Sequence, residues 1–143
     1  MLTLNPDGTA TITFADGETH EVRQPNGAEY RNLVQAWERL ADSLEDDKAE
    51  VREMIEANEK AKLEGEAEAD QYKRASEIRR RGRLLDRARE DMAIRWLNEV
   101  LEVLVGWGGP VPEENLPATV FDPRWPLELQ AHWALRPTVP GAR

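Results

Sequence analysis

The stretch AEYRNLVQAWERLADSLEDDKAEVREMIEANEKAKLE, residues 28–64, decides the fold, because its apolar side chains recur at helical spacing. Tyr30, Leu33, Trp37, Leu40, Leu44, Val51 and Met54 fall on one face of a helix. Between Leu44 and Val51 the seam position is Asp47, and Asn58 is the next polar seam residue, so a dry interface is interrupted at both. The remaining positions hold good helix formers, and no proline occurs between Pro25 and Pro110. Beyond Gly65 a second pattern runs through Leu85, Ala88, Met92, Trp96, Val100 and Val103. From Trp96 to Val105 the chain is apolar almost all round, which predicts burial. The spacing predicts two long helices, about 28–64 and 67–105, with Gly65 as the corner.

Charge on these helices is segregated. Residues 42–70 hold twelve acidic and four basic side chains, whereas residues 73–95 hold nine basic and four acidic ones. Folding back near Gly65 lays the acidic limb along the basic limb. Each exposed pair adds only about 0.2–1 kcal/mol, so the pairing sets register more than stability. The alternative, one helix of nearly eighty residues, would be about 115 Å long and would need a partner chain along it. The antiparallel hairpin is the preferred reading.

Outside this stretch the chain is simpler. Asn5-Pro6-Asp7-Gly8 and Asp16-Gly17 are turns by composition. Between them Thr9 to Phe14 alternates, with Ala10, Ile12 and Phe14 on one side and threonines on the other. Glu18 to Arg23 continues extended, which makes a β-hairpin over residues 1–25, with Leu2 to Leu4 as a candidate third strand. An isolated hairpin is marginal in water. It must either pack on the helix entered at Pro25-Asn26-Gly27, where Asn26 is a candidate cap, or pair edge to edge in an oligomer. His20 is expected to be exposed.

At Gly106-Trp107-Gly108-Gly109-Pro110 the helix must stop. Residues 106–143 hold seven of the nine prolines and three of the five tryptophans. Trp125-Pro126 introduces one short helix, about 126–135, on which Leu127, Gln130, Ala131 and Ala134 share a side with His132 and Trp133 flanking. The rest of the tail is expected to be extended. Burying a tryptophan is worth roughly 1.5–3 kcal/mol or more. Trp107, Trp125 and Trp133 therefore either clamp the tail to the helices or anchor a partner, since aromatic residues and Arg dominate binding hot spots. The fold class that results is mainly α, with a small N-terminal β-hairpin, a long antiparallel helical hairpin and a Pro- and Trp-rich tail.

Composition and spacing exclude several functions. The chain has 143 residues, one domain by length, and a formal charge of −9 that argues against general affinity for nucleic acid or anionic membrane. It has no cysteine, so disulfides and thiolate metal sites are excluded. The amino terminus lacks the basic start and apolar run of a secretory signal, and no window is long enough to span a membrane, so a soluble protein made in a cytoplasm is expected. Arg79 to Arg83 with Arg87 and Arg89 lacks the interleaved aromatics of a nucleic-acid patch, and a solvated face neutralised by the acidic limb is preferred. Glu45-Asp46-Asp47 lacks the alternating ligands of a calcium loop, and Glu64, Glu66, Glu68 and Asp70 are spaced so as to scatter around a helix. No metal and no cofactor are expected. Ser43, Ser76, His20 and His132 stand in no strand–turn–helix context for nucleophilic catalysis, and no phosphate loop is present. The expectation is a non-enzymatic protein.

Two terminal stretches resemble a family. Val22-Arg23-Gln24-Pro25 followed by Glu29-Tyr30-Arg31-Asn32-Leu33, and Leu116-Pro117 before His132-Trp133, Arg136-Pro137 and Pro140-Gly141, look like the tail assembly chaperones of long-tailed bacteriophages that infect actinobacteria. The resemblance covers about forty residues. It implies binding to the tape measure and tail tube proteins in the host cytoplasm during virion assembly, and a longer product made by ribosomal frameshifting. With the tail residues above, it makes Trp107, Trp125, His132, Trp133, Arg136 and Pro137 candidate partner contacts. A second class fits the same composition: a structural virion subunit, a capsid decoration or minor capsid or tail protein, that laces neighbouring subunits together. A homo-oligomer is compatible with both.

Overall fold

The computed structural model describes residues 1–65, 67–122 and 124–135. Three short strands open the chain: β1 (Leu2–Leu4), β2 (Ala10–Thr13) and β3 (Thr19–Val22). They form one antiparallel sheet in the order β1-β2-β3, with Leu2 opposite Ile12 and Thr13 opposite Thr19. Gly8 and Gly17 take φ of 91° and 88° at the turns, a region open to glycine without steric cost. Asp7 and Asp16 each accept the backbone N–H two residues on, at 3.0 and 2.9 Å, which fixes the turns locally. Strand alternation then buries Ala10, Ile12 and Phe14 on one face.

Four helices follow: α1 (Gly27–Asp42), α2 (Glu45–Leu63), α3 (Glu68–Leu104) and α4 (Trp125–Leu135), with short 3-10 turns at Glu113–Asn115 and Ala118–Phe121. Asn26 does cap α1, and reciprocally: its Oδ1 accepts the Glu29 N–H at 2.9 Å while Glu29 Oε1 accepts the Asn26 N–H at 3.0 Å. Arg23 grips the same carboxylate through two bonds of 2.7 and 2.6 Å, and it also donates to the Val103 carbonyl in the last turn of α3 at 3.2 Å. Strand exit, helix start and helix end thus share one guanidinium.

The single helix expected over 28–64 is divided. Ser43 Oγ donates to the Leu40 carbonyl at 2.6 Å and the Leu44 N–H donates to the Ala41 carbonyl at 3.0 Å, so the last turn of α1 tightens and the helical ladder is interrupted. α2 restarts immediately, with Glu45, Asp46 and Asp47 in its first turn, where the helix dipole favours negative charge. α2 ends at Leu63 and α3 begins at Glu68, with Gly65 at φ 78° between them. α3 ends at Leu104, and just beyond it Gly106, with a φ of 77°, lets the Trp107 N–H turn back to the Leu101 carbonyl at 3.1 Å.

The chain divides into two compact units, Met1–Arg39 with Glu90–Arg143, and Leu40–Arg89. The first has a continuous core. Trp96, Leu97, Val100 and Leu101 of α3 are all at most 1% exposed, and Leu33 and Trp37 of α1 are buried in the same unit. Trp96 is its centre: its indole lies 5.8 Å from Trp37, 5.4 Å from Trp125 and 6.1 Å from Trp133, and its N–H donates to the Leu33 carbonyl at 2.8 Å. The second unit is different. Among its described residues only Leu44, Asn58 and Leu85 are buried.

Candidate protein-binding surfaces

The tail residues singled out as partner contacts fall into three groups. Trp125 and Trp133 are each 2% exposed and pack against Trp96, so in this fold they are core of their own unit. Trp107 and His132 are half-buried. Arg136 and Pro137 lie outside the described residues. The buried face of α4 consists of Trp125, Pro126, Leu129 and Trp133, a different side from that of Leu127, Ala131 and Ala134, which are exposed. The physical reason is area: residues four apart carrying two indoles and a leucine outweigh a side of small residues.

Trp107 meets the sheet. Its ring stands edge-on to Phe14 at 5.5 Å and to His20 at 4.7 Å, and Phe14 lies 4.9 Å from His20. His20, expected to be exposed, is therefore half-buried between two aromatic rings. His132 Nε2 lies 3.2 Å from the Thr9 carbonyl, a hydrogen bond when that nitrogen carries the proton. Two asparagines that sequence reasoning passed over pin the tail. Asn98 Oδ1 accepts the Val111 N–H at 3.1 Å, and Asn115 accepts from Ala15 N–H through its carbonyl (3.1 Å) and from Asp16 N–H through its side chain (3.2 Å). Asparagine in a polar helix face or a loop carries no periodic signal, so only the three-dimensional fold reveals it. Outside these contacts Asn98, Glu102, Trp107 and Gly108–Pro110 line an open cleft of about 350 Å³.

The Leu40–Arg89 unit offers the other candidate surface. Glu50 of α2 meets Arg81 of α3 at 3.0 Å. Near the same pair Asp47, Val51, Leu84 and Leu85 line one cleft, and towards Gly65 a second is lined by Ala61, Glu64, Asp70, Lys73, Arg74 and Glu77. Most other ion pairs here stay on one helix: Lys48 with Glu45, Lys62 with Glu59, Arg80 with Glu77 and Arg89 with Asp86. The two-bond contact from Arg80 holds the Glu77 carboxyl below its usual range. Val51, Met54 and Ile78 are half-buried, while Ile55 and Leu84 are 46% and 50% exposed.

Among the described residues no group of His, Cys, Asp or Glu is placed to hold a metal ion, and no helix is long and apolar enough to cross a membrane. Comparison with protein-family models, with curated proteins and with solved structures returns no match.

Proposed function

We propose that this chain is a non-enzymatic assembly factor that holds other proteins, acting as a phage tail assembly chaperone with tape measure and tail tube proteins as clients. In this reading α2 and the first part of α3 form a long antiparallel helical hairpin turning at Gly65, and the hairpin is the holding surface. The observation that carries the proposal is the partial exposure of apolar side chains in the Leu40–Arg89 unit: Val51 and Met54 half-buried and Ile55 exposed on one face of α2, with Ile78 half-buried and Leu84 exposed on α3. The burial of Trp125 and Trp133 supports placing the contact there and giving the tail a clamping role. The terminal resemblance names the clients. Co-expression with the tape measure protein should give a complex that co-purifies, and purified particles should lack the chain. Capture of neither client would sink the idea.

A permanent virion subunit is the second reading. It is favoured by β1 and β3, both edge strands of a three-stranded sheet and so available for pairing with a neighbour. Here the chain would be present in purified particles at fixed stoichiometry, the opposite result in the same measurement.

A further inference from the structure

His20 occupies a place that the sheet otherwise gives to apolar side chains. Its backbone pairs with Ile12, so strand alternation puts its ring on the face that carries Ala10, Ile12, Phe14 and Val22. The ring centroid lies 4.9 Å from that of Phe14 and 4.7 Å from that of Trp107, and the side chain is 16% exposed. Its Nε2 is buried and forms no hydrogen bond among the described residues, yet Glu18 Oε1 lies 3.4 Å away, within ion-pair distance of an imidazolium. The neutral ring is therefore held there by packing alone. A proton on it would engage three neighbours at once.

Those neighbours come from three parts of the chain. β2 and the residue after it bring Ile12 and Phe14, the turn before β3 brings Glu18, and the segment after α3 brings Trp107. Glu21, next along β3, points to the other face. Among the described residues Glu18 is the one charged group within 4 Å of the ring, so nothing there repels a cation. The carboxylate attracts an imidazolium, and aromatic rings attract a cation within about 6 Å of the centroid. Burial works against any charge at this place, and here it is incomplete. Trp107 is the side chain able to respond. Its N–H is fixed to the Leu101 carbonyl at 3.1 Å, and its neighbours Gly106 and Gly108 carry no side chain to obstruct the indole. It also borders the cleft of Asn98, Glu102 and Gly108–Pro110, whereas the other four tryptophans are at most 7% exposed.

We propose that His20, together with Glu18, is a proton-operated latch: the imidazolium holds the Trp107 indole against the sheet, and loss of the proton frees the indole to turn towards the cleft. The latch stands independently of which partner the chain holds. Acrylamide quenching of the full chain reads it, because Trp107 is the tryptophan a collisional quencher reaches. From about pH 8 to about pH 5.5 an imidazole gains its proton while most carboxylates stay ionised. Over that range the quenching constant should fall about two- to five-fold, the factor that one cation–ring contact supplies at a partly exposed site. Trp107→Phe should remove most of the quenching at both pH values, which identifies the reporter. His20→Gln should abolish the pH dependence. Glu18→Gln changes a side chain that is 56% exposed, so it should keep the fold by circular dichroism while shrinking the pH dependence. His132→Gln, at the other histidine of the chain, should leave it intact. A constant that is flat or rises towards pH 5.5 would overturn the proposal. So would a fall that persists in His20→Gln, a full fall in Glu18→Gln, its loss in His132→Gln, or undiminished quenching in Trp107→Phe.

Discussion

Trp96 shows what one side chain contributes. Its N–H has an acceptor, the Leu33 carbonyl, whereas the N–H groups of Trp125 and Trp133 are buried with no acceptor among the described residues. Truncating the indole to a phenyl ring therefore has unequal effects. Trp96→Phe should cost about 1–3 kcal/mol from the lost bond and the space left behind, and Trp133→Phe about 1 kcal/mol less, because no good bond is broken. Urea denaturation of the two variants measures the difference, and equal costs would mean that Trp133 has an acceptor after all. A second residue-scale prediction concerns Asp122. The Arg124 side chain, through its hydrogen bonds, holds the Asp122 carboxyl at about 2, below the usual 3.8. A lowered carboxylate pKa stabilises the folded chain above the unfolded value and loses that contribution as pH falls through the folded one. Between about pH 4 and pH 2 the wild type should therefore lose a contribution that Asp122→Asn never had. An NMR titration midpoint for Asp122 near 3.8 would show that the pair does not persist in solution. At this scale the burial of Trp37, Met92, Trp96 and Val100 was legible from spacing alone, whereas Val103, expected on the same seam and in a run buried to Val105, is 38% exposed. The position of His20 was not, since its ring neighbours Phe14 and Trp107 come from a strand and from a loop far along the chain.

The elements were legible where a local signal and a tertiary one agree. Thr9 to Phe14 alternates and has turn residues at both ends, so the sheet was readable to within a residue or two. Asn26 before Glu29 starts a helix for a local reason, and it does so here. The division between α1 and α2 was illegible because the apolar spacing of Leu40 and Leu44 continues across it, and because the interruption depends on a serine bonding a carbonyl of its own turn. The buried face of α4 was missed because small residues and indoles were weighed by position and not by area. At Gly65 the sequence signal was sufficient. Its φ of 78° with open space around the missing Cβ makes Gly65→Ala a test of backbone strain alone. The substitution should cost about 1–2 kcal/mol, read as a lower melting temperature. A neutral result would place a different backbone at this corner.

At the scale of the whole chain, the contrast between the two units matters most. The Met1–Arg39 and Glu90–Arg143 unit has a core of indoles and aliphatic side chains, whereas Leu40–Arg89 has three buried residues among those described. Opening free energies vary across a structure with buried apolar contact. Amide exchange should therefore be fast over Glu45–Leu63 and slow over Met92–Leu104. Equal protection would mean that the charged unit has a source of stability beyond its core. Composition foretold a helical, cysteine-free chain, but the unequal sharing of the core appears only when burial is assigned residue by residue. The placement of the aromatic residues has a practical consequence. All five tryptophans lie outside residues 40–89, where Tyr72 is the sole aromatic side chain. Intrinsic fluorescence excited at the red edge of the indole band is therefore blind to that segment, while far-ultraviolet dichroism sees both parts. Two melting curves that fail to superimpose would resolve the successive loss of the parts without any label, and the gap between their midpoints would measure how independently each part melts.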